Sequence, residues 1–138
     1  MALLEAAQIR NIALVGHGGS GKTSLAEALL FKCGMTNRLG RVPDKASFLD
    51  STEEAKEKLS SIDSALCHLV YKGLHVNILD TPGTPAFCGP AIAALAAVEC
   101  AVVVISASAG IQVNTRRMFD RAKEYGLGIW IVDRKRVV

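Results

Sequence analysis

The sequence predicts a three-layer α/β fold built on a mixed, mostly parallel β-sheet. Hydrophobic residues make up 50% of the 138 residues and aromatic residues only 5%, a balance typical of strands that helices cover on both faces. Apolar runs of strand length alternate with helical segments along most of the chain. A glycine-rich turn joins the first strand to the first helix. The length suffices for one domain with a substantial core.

The first strand and the first helix flank the glycine-rich turn. The apolar run Ile9 to Val15 predicts a buried strand, and Ser24 to Phe31 predicts the helix. Gly34 is expected to end that helix. The segment Met35 to Ser64 is polar and lacks apolar periodicity, so we expect a long connection that is functional or mobile. Its charge-dense run 52–58 also fits a local solvated helix.

A hairpin and a helix are predicted next. The apolar runs Leu66 to Tyr71 and Leu74 to Leu79 flank Lys72-Gly73, a two-residue turn that favours antiparallel pairing. Pro90 suits the first turn of a helix that runs to about Val98.

The last third of the chain predicts a strand, a helix and a further strand. Ala101 to Ile105 is an unbroken apolar run of a core strand. Asn114 to Tyr125 predicts an amphipathic helix, which Gly126 ends. Leu127 to Val132 predicts another core strand. The apolar stripe of the helix is expected to consist of Met118, Ala122 and Tyr125.

Charge and composition argue against several other classes of protein. A net charge of +3 is too small to indicate an anionic partner. Met1 to Gln8 lacks the pattern of a signal peptide, and the alanine-rich stretch Ala91 to Ala109 predicts a helix followed by a strand rather than a membrane span. We therefore expect a cytoplasmic protein without membrane contact. No C-x-x-C pair occurs, so core or near-core positions in a reducing compartment are expected for Cys33, Cys67, Cys88 and Cys100.

The glycine-rich turn carries the clearest chemical signal. Its glycines let backbone N–H groups converge on an anion, and the helix behind it presents the positive end of its dipole. Lys22 offers a cation to the β- and γ-phosphates and Thr23 a hydroxyl to Mg²⁺. The alternative is a turn with an accidental Lys-Thr pair. The match to the P-loop motif G-x-x-x-x-G-K-[ST] is Gly16-His17-Gly18-Gly19-Ser20-Gly21-Lys22-Thr23, and Ser24 follows it.

A second phosphate-sensing segment follows the hairpin. Asp80 stands where a predicted strand ends, the edge at which open α/β sheets bind ligands. A carboxylate there can hold Mg²⁺ through water, and Gly83 can offer its N–H to a γ-phosphate. The alternative role for Asp80 is a turn cap. The candidate ligand-binding residues of this segment are Asp80, Thr81, Pro82, Gly83 and Thr84.

These motifs resemble those of translational GTPases, most closely elongation factor G and its paralogues. The run Arg10 to His17, the P-loop and Asp80 to Gly83 carry the likeness, which extends over residues 9–132. The resemblance implies a Ras-like P-loop domain, GTP or GDP and Mg²⁺ as ligands, and the ribosome as the partner that triggers hydrolysis. It identifies no direct nucleic-acid site in this stretch. Further family-like residues are Phe87, Glu99, Ala109-Gly110-Ile111-Gln112 and Thr115.

The resemblance also implies roles for individual residues. Lys22 and Gly83 are the catalytic candidates, and Mg²⁺ is expected to contact Thr23, Asp80 and a hydroxyl of the long loop. That hydroxyl falls on Ser61, with Ser60 as the alternative alignment. The family orders this loop on the γ-phosphate and releases it after hydrolysis.

Three positions depart from the family pattern. Thr84 stands where the family commonly carries a water-positioning His, and Gly19 where it often carries an acid. The guanine-binding motif Asn-Lys-x-Asp aligns with Arg134-Lys135-Arg136-Val137, in which only Lys135 matches. Asp133 has no support from spacing as a replacement for the missing acid.

The expected organisation is a leader at 1–8, a partial GTP-binding domain at 9–132 and a non-matching basic tail at 133–138. The domain is expected to be truncated before its last strand and helix, which leaves Leu127 to Val132 as an apolar edge prone to self-association. Two functions remain open: GTP hydrolysis within a translational GTPase, or a phosphate-binding module with little base selectivity and no turnover. A P-loop ATPase is disfavoured by the predicted antiparallel hairpin.

Overall fold

The computed structural model describes residues 4–37 and 64–134. Within these ranges the chain alternates strands and helices in the predicted order, with 3₁₀ turns at Ala6–Gln8 and Pro85–Phe87. The helices are α1 (Lys22–Lys32), α2 (Cys88–Ala96) and α3 (Val113–Glu124). The strands are β1 (Ile9–Gly16), β2 (Ala65–Tyr71), β3 (Leu74–Asp80), β4 (Cys100–Ser106) and β5 (Gly128–Arg134).

The strands of the described residues form a single five-stranded sheet in the order β2-β3-β1-β4-β5. β1 runs parallel to β3 and β4, and β4 runs parallel to β5, whereas β2 and β3 pair antiparallel. The hairpin turns at Lys72 and Gly73, whose φ angles of 49° and 80° both lie in the left-handed region. The predicted mixed, mostly parallel sheet is therefore confirmed. Its parallel strands end together at one edge, which brings the ends of β1, β3, β4 and β5 close to one another.

Helices cover both faces of the sheet and form the outer two of three layers. On one face, α2 and α3 bury Leu95 and Met118 against Val103 of β4. On the other face, α1 buries Leu30 against β1 and β3, next to Leu14 and Ile78. Each fully buried side chain of this size stabilises the fold by about 1.5–3 kcal/mol. The two cores hold the loops at the carboxyl edge of the sheet in place.

The boundaries of three elements differ from the prediction. α2 begins at Cys88, so that Pro90 lies in its first turn as predicted, but it ends at Ala96 rather than at about Val98. α3 ends at Glu124, and Tyr125, predicted to be part of the apolar stripe, is 45% exposed at the C-cap. β5 extends to Arg134, which lies opposite Ser106 of β4.

Other predicted features are present. Gly34, with φ 73°, ends α1 by donating its N–H to the carbonyl of Phe31. The stretch 91–109 contains most of α2 and all of β4, and no helix in the described ranges is long and apolar enough to span a bilayer. The four cysteines are free thiols; Cys67 is buried and the others are partly exposed.

Candidate functional site

The P-loop lies between β1 and α1, at the carboxyl edge of the sheet. Three of its glycines have positive φ angles: 144° at Gly16, 75° at Gly19 and 93° at Gly21. At Gly16 space is also limiting, since a Cβ there would overlap with the carbonyl oxygen of Val104 in β4. The loop therefore needs glycine both for its backbone conformation and for its packing against the sheet.

Lys22 turns back over the P-loop from the first turn of α1. Its Nζ donates to the carbonyl oxygens of His17 at 2.9 Å and Gly16 at 3.4 Å. Burial lowers the pKa of this ammonium from 10.5 to about 8, and the nearby Asp80 carboxylate opposes part of the shift. A buried cation at the positive end of a helix favours the approach of an anion.

The segment after β3 meets the P-loop, although the two are far apart in sequence. The hydroxyl of Thr23 donates to a carboxylate oxygen of Asp80 at 2.6 Å. The hydroxyl of Thr81 donates to the carbonyl of Leu14 in β1 at 2.7 Å, which ties the segment to the sheet. A Cβ on Gly83 would lie 2.6 Å from the backbone nitrogen of Gly18 and would overlap with the Lys22 ammonium. Only a glycine fits between these loops.

The other predicted site residues surround this contact. Ser24 follows Thr23 in the first turn of α1, and Pro82 is buried between Thr81 and Gly83. Thr84 precedes the 3₁₀ turn at Pro85–Phe87, and its hydroxyl lies beside Gly18. Ser61 and the residues from Lys135 onward lie outside the described part of the chain.

Asn114 joins the two phosphate-binding candidates and was missed by the sequence reading. It is buried in the first turn of α3, and its Nδ2 donates to the carbonyl of Gly83 at 2.9 Å and to that of Gly16 at 3.4 Å. One signal could have revealed it: Asn114 is a polar residue on the same helical stripe as Met118 and Ala122.

Arg134 was also missed. Its guanidinium Nη1 donates to the carbonyl of Gly21 at 2.9 Å, so the end of β5 contacts the end of the P-loop. The sequence analysis placed this residue in the non-matching tail, where it aligns with the Asn of the guanine-binding motif, and gave it no role. Nothing in its local pattern indicates a contact with a residue more than one hundred positions away.

These residues fit a phosphate ligand. Two buried side-chain atoms at the loop, Ser20 Oγ and His17 Nδ1, have no hydrogen-bond partner within residues 4–37 and 64–134. A glycine cradle, a buried ammonium and a helix N-terminus surround them. Unused polar atoms in such a setting suit a ligand that carries both charge and hydrogen-bonding oxygens.

The donor set of Thr23 and Asp80 fits Mg²⁺. A hydroxyl and a carboxylate are the hard oxygen ligands that this ion prefers, and it usually takes its remaining ligands from water and substrate phosphates. In the described ranges no group of three or more His, Cys, Asp or Glu side chains could hold a metal ion. A magnesium ion bound together with a nucleotide needs no such group.

Comparisons with known proteins agree with the fold and with the two motifs. Residues 7–135 match the family model described as the elongation factor Tu GTP-binding domain. An elongation factor G-like protein of Mycobacterium tuberculosis is 36% identical over 119 residues, which are 86% of this chain and 17% of that protein. A crystal structure from Thermus thermophilus is 43% identical, with a TM-score of 0.89 over 93% of this chain and 19% of the other.

More distant solved structures share the fold. A bacterial selenocysteine-specific elongation factor, EF-Sec, is 20% identical with a TM-score of 0.72, over 91% of this chain and 25% of its own. The elongation factor SelB of Methanococcus maripaludis, solved with the GTP analogue GppNHp, is 17% identical with a TM-score of 0.68, over 90% of this chain and 21% of its own. The chain thus spans about a fifth of the length of its nearer relatives. It belongs to the family of elongation factor Tu-type GTP-binding domains and has the G-domain fold of an elongation factor G-like translational GTPase.

Proposed function

We propose that this chain is the nucleotide-binding part of an elongation factor G-like translational GTPase and binds GTP and GDP together with Mg²⁺. The observation that carries the proposal is the meeting of two loops that are separate in sequence. Thr23 of the P-loop contacts Asp80 at 2.6 Å, and Gly83 packs against the Lys22 side chain. An accidental glycine-rich turn has no reason to meet a second phosphate-sensing segment at this edge of the sheet.

Each residue has a definite task in this proposal. Lys22 places positive charge beside the β- and γ-phosphates, and the P-loop N–H groups fix their orientation. Thr23 and Asp80 would hold Mg²⁺, with Ser61 as a further proposed contact from outside the described residues. The ion, when bound, neutralises charge on the phosphate oxygens. Gly83 would donate its N–H to the γ-phosphate.

The reaction of an elongation factor G-like GTPase that contains this domain would be the hydrolysis of GTP. A water oxygen forms a bond to the γ-phosphorus, the bond from that phosphorus to the β–γ bridging oxygen breaks, and GDP and inorganic phosphate leave. The residues contribute positioning and electrostatic stabilisation rather than covalent chemistry. The similarity to translation factors supports the ribosome as the partner that triggers the reaction. It also supports the cytoplasm as the place where the reaction occurs. A role in translocation would depend on parts of such proteins that lie outside these 138 residues.

A second candidate function is a phosphate-binding module with little base selectivity and no turnover, and we favour it for the isolated 138 residues. The observation behind it is Thr84, whose hydroxyl lies beside Gly18 at the mouth of the P-loop. A Thr hydroxyl lacks the reach and the titratable nitrogen with which an imidazole orients water. The substitution of the Asn-Lys-x-Asp acid by Val137 supports weak recognition of guanine.

The two candidates differ in selectivity and turnover. Calorimetric titration with GTP, GDP and ATP, in Mg²⁺ and in EDTA, measures the first, and phosphate release over many cycles measures the second. Guanine-selective, Mg²⁺-dependent binding with sustained release establishes an active GTPase. Equal affinity for GTP and ATP without phosphate release establishes the binding module. Absence of binding to all three nucleotides rules out both.

A further inference from the structure

We propose that Arg134 is a positioning residue for the P-loop: its guanidinium fixes Gly21 and thereby supports phosphate binding whatever the base. The inference rests on the proposed phosphate-binding function and adds a residue to it. It also gives the end of β5 a role, since this strand would otherwise take no part in the site.

The backbone around Arg134 is held firmly. The residue lies opposite Ser106 in the parallel pairing of β5 with β4, and its carbonyl accepts the N–H of Ala107 at 3.0 Å. Its side chain can therefore extend from a fixed origin toward the P-loop, where Nη1 donates to the carbonyl of Gly21 at 2.9 Å.

The Arg134 side chain packs closely against Gly21 in addition to its hydrogen bond with it. A Cβ on this residue would lie 2.9 Å from Cζ and 3.1 Å from Cδ of Arg134, so the side chain lies directly over the glycine. The same carbonyl accepts the first hydrogen bond of α1, from the N–H of Leu25 at 2.9 Å. Arg134 therefore links the end of β5 to Gly21, the P-loop residue directly before α1 begins.

The charge of Arg134 stands in an unusual place. It lies at the N-terminus of α1, whose dipole disfavours a cation. Lys22, which follows the contacted Gly21, is itself a cation. While no anion is bound, the guanidinium is repelled by the helix N-terminus and by Lys22. Once an anion binds, the guanidinium adds to the electrostatic attraction on it. Because its contact is with the main chain of the P-loop and not with a base, its removal should weaken all phosphate ligands alike.

The test compares Arg134→Gln and Arg134→Lys with the unaltered chain in calorimetric titrations of GDP, ADP and inorganic pyrophosphate at several salt concentrations. Arg134→Gln should lower the affinity for all three ligands by a similar factor, about tenfold for a lost charge-assisted hydrogen bond. The affinity should also become less sensitive to salt, because one cation is gone. Arg134→Lys should recover the salt sensitivity and part of the affinity. The control Arg117→Gln removes an exposed arginine of α3 and should change neither quantity.

A pair of substitutions tests the contact itself. Gly21→Ala should weaken binding in the unaltered chain, through both backbone strain and collision with Arg134. In an Arg134→Ala background the collision is absent, so Gly21→Ala should cost less there.

Several results would overturn the inference. These are equal affinities for Arg134→Gln and the unaltered chain, a loss confined to GDP, an unchanged salt dependence, or additive effects in the double substitution. A merely structural role would lower the melting temperature without altering the salt dependence. If the unaltered chain bound none of the three ligands, the proposed function itself would fail, which is a separate result.

Discussion

Lys22 is the residue whose chemistry depends most on what the site binds. Its pKa of about 8 arises mainly from burial, and a phosphate anion beside it should raise that value again. Binding at pH 8 should therefore take up as much as about half a proton, and affinity should fall as the pH rises above 8. Titrations of GDP in two buffers of different ionisation enthalpy measure this uptake. The control Lys22→Gln should show none, and identical heats in both buffers for the unaltered chain would contradict the assignment.

The same shift affects folding with the opposite dependence on pH. Without an anion, the unfolded chain has the ordinary Lys pKa of 10.5 and binds more protons than the folded chain between pH 8 and 10.5. The contribution of Lys22 to the free energy of unfolding therefore rises with pH across this window.

Gly83 tests the close approach of the two loops. Gly83→Ala would press a Cβ against the backbone of Gly18, which cannot move as a side-chain end can. We expect a loss of GDP affinity of about tenfold or more, because the P-loop must shift. Gly89→Ala is the matched control: among the described residues, a Cβ there would meet no atom within 4 Å beyond its chain neighbours and the backbone of its own helix. Alanine in the first turn of α2 should stabilise the fold by about 0.5–1 kcal/mol. Equal GDP affinities for the two variants would argue against this packing.

At the scale of single residues, a sequence pattern identifies those residues that belong to a local motif. Lys22, Thr23 and Asp80 were identified because their spacing to glycines and strand ends has a chemical meaning. Asn114 and Arg134 contact the same loops only because the sheet brings the start of α3 and the end of β5 there. Such contacts depend on tertiary structure and leave little trace in the chain.

At the scale of elements, one carboxylate joins β1 to the start of β4. Glu99 accepts the backbone N–H of Asn11 at 2.7 Å and its side-chain amide at 2.8 Å. The backbone hydrogen bond is the main reason that the pKa of Glu99 lies below its usual 4.5. A lowered carboxyl pKa stabilises the fold above the unfolded value and ceases to do so as the pH falls through the folded one.

We therefore expect Glu99→Gln to reduce the decrease in the free energy of unfolding that occurs at acid pH. Urea unfolding from about pH 6 down to about pH 3 should show a smaller decrease for this variant than for the unaltered chain. The effect should be modest, since Glu99 is exposed to solvent. Glu124→Gln, which removes the exposed ion pair with Arg121 on α3, is the control. An unchanged pH profile for Glu99→Gln would show that the hydrogen bonds between Glu99 and Asn11 contribute nothing to pH-dependent stability.

The order and type of the elements could be predicted because the periodicity of apolar residues and the positions of turn-forming residues can be read from the local sequence. The ends of the elements could not. Tyr125 continues the helical spacing of Met118 and Ala122, yet the helix stops before it and the ring turns outward. β5 continues to Arg134 because its pairing with β4 does, although the apolar run ends earlier.

At the scale of the whole molecule, β5 lies at an edge of the described sheet and exposes large apolar side chains. Trp130 is 70% exposed and Ile131, on the opposite face, is 61% exposed. A groove of about 300 Å³ opens beside Ile131 and is lined also by Ile105 and Phe119. Exposed apolar side chains next to an unpaired strand edge favour association with another chain.

The 138-residue chain should therefore self-associate. Sedimentation velocity should show an average mass that rises with concentration, and the double variant Trp130→Lys/Ile131→Glu should remain a monomer. Val113→Lys alters an apolar residue of α3 that is 82% exposed and does not belong to β5, and it should leave association unchanged. A single monomeric species at all concentrations for the unaltered chain would show that the edge is harmless.

The central claim is that the P-loop and the Asp80 to Gly83 segment together bind nucleotide phosphates. Titration of GDP with Mg²⁺ into the unaltered chain and into Lys22→Ala, each checked for folding by circular dichroism, tests it most directly. We expect binding to the unaltered chain and a loss of at least about a hundredfold in Lys22→Ala, because a buried charge-assisted contact to phosphate is removed. A folded Lys22→Ala variant that binds GDP as tightly as the unaltered chain would contradict the claim.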